Sequence, residues 1–379
     1  MILRIAVLIS VCGSLGCGSL ATVPTTGPHT AAAVAQQLAA EHGEWSGRQR
    51  YVAHLASKRL TIDGRLDEPA WEAAASTAPF VDIEGEGHHE PRHQTTAKML
   101  WDADYFYVGA TLEEPHLWST LTERDSVIFK DNDFEVFIDP DGDTHQYYEL
   151  EINALGTEWD LLLARPYRDG GPAINGFDTA GLRSAVALVG TINDPSDRDV
   201  GWSVEIAIPW SALAEIAGCP VPPRDGDVWW VNFSRVQWRL DVVASEGGSG
   251  QSYVKRLDGE GEALPEDNWV WSPQGVIAMH EPESWGLVLF AEDEATKRKF
   301  IDPIDLRQRE ALHRIYKAQH ALRKRVGHYS SSLEELGLAR DELNARTLEL
   351  FTTPSGFEAV LFFGETESAL HIDQSGHLW

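Results

Sequence analysis

Cysteine is scarce. The 379 residues include only Cys12, Cys17 and Cys219, and Cys219 alone lies in the body of the chain, which excludes an internal disulfide framework there. Cationic side chains are also few: 31 Lys plus Arg against 59 Asp plus Glu leave a formal net charge of -28. Such a surface repels phosphate backbones and anionic lipid, which argues against nucleic acid as a partner. No apolar run is long enough to cross a bilayer; the run Ile5 to Val11 behind Arg4 suits an export signal instead. There is no Gly-rich phosphate loop, serine elbow or CxxC pair, so the motif-borne chemistries of nucleotides, acyl transfer and dithiol exchange have no foothold.

What is present divides the chain into four parts: an export segment 1–21, a linker 22–50 rich in Ala, Thr, Gly and Pro, a body 51–292, and a unit 293–379. Two cleavage readings stand for the first part. Ser19-Leu20-Ala21 resembles the site of a soluble secreted protein, and Leu15-Gly16-Cys17 a lipoprotein box that would place a lipid anchor on Cys17. The expectation is a periplasmic, cell-surface or extracellular protein.

The stretch from Asp125 to Leu163 organises the body. It predicts two strands, Phe134 to Asp139 and Tyr147 to Asn153, around the turn Pro140-Asp141-Gly142-Asp143. Period two puts Phe134, Val136 and Ile138 on one face, and Asp133, Glu135 and Phe137 on the other. Tyr148, Leu150 and Ile152 then oppose Glu149, Glu151 and Asn153. Paired as a hairpin, these strands gather carboxylates beside aromatic rings, a costly arrangement until sugar hydroxyls, a cation or an arginine meets them.

Short strands recur on either side: Tyr51 to Ala53, Leu60 to Ile62, Thr95 to Trp101, Tyr105 to Leu112, Arg183 to Ile192, Gly201 to Ile208, Val228 to Trp238, Trp269 to Ile277 and Trp285 to Phe290. With almost no long helix among them, the expectation is an all-β immunoglobulin-like or jelly-roll type β-sandwich. The apolar spacing of Asp305 to Val326 predicts a helix closed by Gly327; Ser331 starts a second short helix and Phe357 to Phe363 a hairpin, so the last part reads as a small C-terminal α+β appendage. Glu205, alone in an apolar strand, is read as a structural hydrogen-bond acceptor, and His88, His89 and His93 as loop residues without acidic partners at metal spacing.

Four ordered segments carry a resemblance: Ile62-Asp63-Gly64 with Leu66-Asp67-Glu68-Pro69-Ala70-Trp71; Leu100-Trp101-Asp102 with Tyr105-Phe106-Tyr107-Val108; Asp133 to Asp139; and Gly201 to Trp210. Over roughly Tyr51 to Phe290 the chain resembles the family-nine carbohydrate-binding modules and related DOMON-like sandwiches. The resemblance implies a calcium-stabilised sandwich that binds a polysaccharide or oligosaccharide of xylan or cellulose type, is noncatalytic, and works beside glycoside hydrolases. It places the first sugar-stacking ring on Phe129, the acidic ligand on Glu135, the second ring on Trp271 or Trp269, and the amide on Asn232. Where the family has a basic residue this chain has Glu151, and Arg235 is the candidate to compensate it.

Asp139, Asp141 and Asp143 offer oxygens at alternate positions of a Gly-containing turn, a pattern that suits Ca²⁺ and equally a solvated acidic turn; the resemblance favours the metal. Trp118, Trp159 and Trp238 serve equally as packing or as sugar platforms. Two other readings are an envelope interaction protein that has lost its sugar site, and a glycoside hydrolase using Glu135 and Glu151.

Overall fold

The computed structural model describes residues 48–245, 250–292, 303, 305–340, 343, 347–363 and 368–379. The expected export segment with Cys17 and nearly all of the expected linker lie outside the described residues.

Thirteen strands form one large sheet. Its main path runs Ala173–Ile174, Glu158–Leu163, Tyr147–Asn153, Asp133–Asp139, Val228–Gln237, Gly286–Ala291, Arg50–Leu55, Thr95–Trp101, Tyr105–Glu113, Gly201–Pro209, Arg183–Val189. Arg50–Leu55 is parallel to both of its neighbours, and the other pairings are antiparallel. The sheet curls into two layers because each arm has an apolar face to bury: Phe106, Val108 and Ile206 from one arm share a single core with Phe134, Leu150 and Phe233 from the other. This is the expected β-sandwich.

Several expected elements differ. Leu60 to Ile62 is not a strand, because the chain beyond it is held by Glu205 rather than by a ladder. Trp269 to Ile277 is reduced to the strand Asp267–Val270, since Pro273 and Gly275 interrupt the pattern. Glu158–Leu163 and the hairpin of Leu240–Ala244 with Gln251–Lys255 are strands that the sequence reading did not single out.

Helix Leu306–Val326 ends at Gly327, whose φ of 88° is the left-handed closure that glycine permits. Its apolar stripe, Leu312, Ile315 and Leu322, packs on a three-stranded sheet of Thr347–Thr352, Phe357–Phe363 and Ser368–Asp373. The expected helix from Ser331 is instead a run of turns up to Gly337 (φ 71°), too short for a helical ladder. This unit is docked on the sandwich. Arg309 donates to Asp141 O and Gly142 O, Thr144 Oγ1 donates to Gly376 O, and Arg168 and Lys317 share Glu281 and Glu283.

Candidate functional site

The central hairpin forms in the expected register, with Glu135 opposite Glu151, Asp133 opposite Asn153 and Phe137 opposite Glu149. Since alternate side chains share a face, Glu135, Glu149 and Glu151 converge on the side away from the core. All three, and Asp133, are buried. Two are anchored by backbone donors: Val236 N donates to Asp133 Oδ1 (3.1 Å) and Phe129 N to Glu151 Oε2 (2.8 Å). Asp133 Oδ2 and Glu149 Oε2 are buried without a hydrogen-bond partner. Among the described residues no Lys or Arg makes an ion pair with any of the four. Burial, reinforced by neighbouring carboxylates, raises Asp133, Glu149 and Glu151 well above the usual carboxylate range; burial pushes Glu135 up to about 7.

Above Glu135, Glu149 and Glu151 lies a pocket of about 260 Å³, lined also by Phe129, Trp159 and Tyr167; Asp133 lies beneath, outside its lining. That is close to the lower end of the ~300–1,000 Å³ typical of small-molecule pockets. Phe129 stands on the short turn Ile128–Lys130, pinned through its N–H to Glu151 and its carbonyl to Trp238 Nε1 (2.9 Å). Its ring is 39% exposed and lies 6.4 Å from that of Trp159, at 32°. Trp159 reaches the site because Glu158–Leu163 pairs beside Tyr147–Asn153, with Trp159 opposite Glu151. Its Nε1 is buried and without a partner. Tyr167, 52% exposed, packs edge-on at 4.5 Å against His280, whose Nδ1 meets Tyr147 Oη at 2.9 Å. Burial, with Arg168 near by, lowers His280 to about 3, so the imidazole is neutral and supplies no counter-charge.

Phe129, Glu135 and Glu151 are therefore brought together; the other expected sugar ligands are not. Trp271 is buried in the core, edge-on to Tyr51 at 6.4 Å and closed over by Gly286, where a Cβ would sit 2.5 Å from the indole. Trp269 is buried between Arg92 and Arg235, on a different concavity. Asn232 is internal, its Nδ2 donating to Ser272 O and its Oδ1 accepting from Ser272 N. Arg235 does not compensate Glu151: it follows strict strand alternation away from the hairpin face and pairs with Glu114, Thr95 and Gln237. The second ring beside Phe129 is Trp159, which the sequence offered equally as packing or as a sugar platform. His88 also departs from expectation, with Glu84 at 3.3 Å and Asp82 at 4.0 Å.

The larger concavity, about 730 Å³, is lined by Trp238, Trp269, Arg92, Arg239 and Arg256, among others. Three of the arginines lining it are already committed: Arg92 and Arg239 to Asp267, Arg256 to Asp241.

At the turn, Asp139, Asp141 and Asp143 present oxygens within 4.8 Å of one another. Gly142 N and Thr144 N donate to Asp139, His145 N donates to Asp143 Oδ1, and Asp141 Oδ1 is buried without a partner. Gly142 is required twice over, by a φ of 65° and by Trp230, which would lie 2.7 Å from an added Cβ. Burial and the neighbouring aspartates raise Asp143 to about 6. The orphaned Asp141 oxygen and the all-oxygen donor set fit a hard cation.

A curled antiparallel sandwich with an acidic, aromatic-walled pocket on its outer face defines a binding module of the β-sandwich class. Residues 62–221 match the model described as carbohydrate family 9 binding domain-like. Similar curated proteins are "Exoglucanase XynX" of Acetivibrio thermocellus, 27% identical over 193 residues, and "Endo-1,4-beta-xylanase A" of Thermoanaerobacterium saccharolyticum, 25% identical over 190. Each match takes in 47% of this chain but only 15% and 14% of those proteins. Among solved structures, a family 9 carbohydrate-binding module from Caldicellulosiruptor kristjanssonii in complex with cellotriose aligns with 67% of this chain and all of its own (14% identity, TM-score 0.41). A putative carbohydrate-binding protein from Bacteroides uniformis aligns over 64% of this chain and 99% of its own (15% identity, TM-score 0.45).

Proposed function

We propose that this is a noncatalytic, exported carbohydrate-binding protein that holds a β-linked glycan of xylan or cellulose type near secreted glycoside hydrolases. The observation that carries this reading is the convergence of Phe129, Trp159, Glu135 and Glu151 on one open pocket within the family 9 region. Aromatic faces suit the C–H faces of a pyranose, the carboxylates accept from its hydroxyls, and the unpartnered Trp159 N–H is available to a ring or hydroxyl oxygen. The relatives' names, an exoglucanase and an endo-1,4-beta-xylanase, support the choice of glycan. In the same reading Asp139, Asp141 and Asp143 hold a structural Ca²⁺ at the turn beneath the appendage.

The hydrolase reading is weaker. A glycosidase pair flanks the scissile bond, whereas Glu135 and Glu151 stand directly opposite each other in one hairpin, on the same wall of the pocket.

Affinity electrophoresis of the full chain in xylan and soluble cellulose derivatives tests the proposal. The Phe129→Ala and Trp159→Ala variants are each expected to bind at least about tenfold more weakly, with far-UV dichroism and unfolding midpoint little changed. Equal retardation of the variants and the wild type would overturn this site. No retardation in any glycan would leave the envelope interaction protein as the better account.

A further inference from the structure

We propose that Asp133, Glu135, Glu149 and Glu151 bind a divalent cation of the Ca²⁺ type at the floor of the aromatic pocket, and that vicinal hydroxyls of the glycan complete its coordination. This deepens the reading of the pocket as a glycan site and rests on it for the hydroxyl ligands, though not for the cation.

The geometry is that of a coordination shell open on one side. Oxygens of Asp133, Glu135 and Glu151 lie within 4.8 Å of one another. Two ligands at the Ca–O distance of about 2.3–2.6 Å are separated by at most about twice that value, so a single ion reaches all three. Glu149, outside that trio and 5% exposed, lines the same pocket with an unpartnered Oε2. A second unpartnered oxygen, Asp133 Oδ2, belongs to the trio, and the unpartnered Trp159 N–H marks where an uncharged ligand oxygen is wanted beside the ion. Backbone donors from Val236 and Phe129 hold two of the carboxylates in place without neutralising them.

Charge points the same way. Four carboxylates share one buried face, the imidazole that lines the pocket, His280, is held neutral by burial, and among the described residues no guanidinium or ammonium pairs with them. Buried charge without a partner is strongly destabilising, and a monovalent ammonium would offset one carboxylate of the four. The oxygen-only donor set and the opening toward Phe129 and Tyr167 select a hard cation that keeps sites for outside oxygens. The site is separate from the Asp139 turn: that turn is covered by Arg309 and His377 of the appendage, whereas Glu135, Glu149 and Glu151 of this cluster line the pocket.

The test uses the full chain, stripped with chelator, titrated with CaCl₂ by calorimetry and with Tb³⁺ by luminescence sensitised through Trp159. Compared with wild type, Glu149→Gln and Glu151→Gln are expected to lose one binding event or weaken it at least about tenfold, and to lose the Trp159-sensitised signal. Asp141→Asn, away from the pocket, is expected to lose at most the binding event of the turn and to keep the pocket's event and its Trp159-sensitised signal. The Gln variants relieve repulsion, so they should unfold no earlier than wild type in chelator, which guards against reading misfolding as lost binding. Xylan retardation should vanish in chelator and return with Ca²⁺. Unchanged metal titrations in both Gln variants, or metal binding lost only in Asp141→Asn, would overturn the proposal. Tighter binding of an amino sugar than of Ca²⁺ by the stripped wild type would overturn it too. Metal binding at this cluster without retardation in any glycan would sink the glycan reading while the cation site stands.

Discussion

Arg168→Ala is expected to lower the stability of the protein by about 3–5 kcal/mol, the usual cost of removing one member of a buried ion network. Arg168 joins the appendage to the sandwich. Its guanidinium reaches Glu281 at 2.5 Å, Glu283 at 2.8 Å and Asp169 at 3.2 Å, and lies 5.2 Å from the centre of the Tyr316 ring. Glu283 is wholly buried, so its loss of Arg168 leaves a carboxylate facing Lys317 alone at 3.2 Å. Burial by itself would raise Glu283, but Arg168 and then Lys317 hold it well below the usual range. A carboxylate depressed on folding stabilises above its unfolded pKa of about 4.3, and that contribution disappears as pH falls through its folded value. The wild type should therefore lose stability more steeply below about pH 4 than Arg168→Ala does. Denaturant midpoints from pH 2.5 to 7 check both, and a difference under about 1 kcal/mol at pH 7 would show that the network is held by solvent-screened pairs. The variant also bears on function: Tyr167 and His280, which line the pocket, are the chain neighbours of Arg168 and Glu281. Weaker xylan retardation should accompany the loosened appendage.

Glu205→Ala is expected to cost about 4 kcal/mol. The carboxylate is buried in the strand Gly201–Pro209 and accepts from Trp71 Nε1 at 2.9 Å, Asp63 N at 2.9 Å and Gly64 N at 3.2 Å. Each donor stranded by the substitution costs about 1–3 kcal/mol. Water cannot easily replace the acceptor, since a Cβ at Gly64 would lie 2.6 Å from Val186 C and the Trp71 indole packs against Gly109. Glu205→Gln keeps one carbonyl acceptor and should cost roughly half as much. Thermal unfolding of the three forms measures the series; an Ala variant no worse than the Gln variant would mean that the segment Asp63 to Trp71 is anchored by packing alone. Glycan affinity should be unchanged, because neither Glu205 nor its donors line the pocket.

The acidic face was legible because period two needs only the strand itself. Once Phe134, Val136 and Ile138 must face the core, Glu135 and Glu151 have nowhere else to point, and the turn at Pro140 to Asp143 sets their register. Phe129 was placed by the family resemblance, and the structural role of Glu205 followed from one charge in an apolar strand. The second ring was not legible. Strand pattern alone does not choose among Trp159, Trp269 and Trp271, because their surroundings come from other segments: Gly286 closes over Trp271, Arg235 and Arg92 cover Trp269, and the pairing of Glu158–Leu163 with Tyr147–Asn153 sets Trp159 opposite Glu151. The same holds for Arg235, whose choice of Glu114 over Glu151 spans 121 residues.

Short-range rules thus determined the strands, the buried face and the gathering of carboxylates, since these follow from backbone geometry over a few residues. Only the tertiary structure decided which aromatic ring meets those carboxylates, that no basic side chain among the described residues reaches them, and that the appendage pairs with Arg168, Glu281 and Glu283 beside the pocket wall. Each of these is a contact between distant segments, fixed by how the sheet curls and what it then encloses.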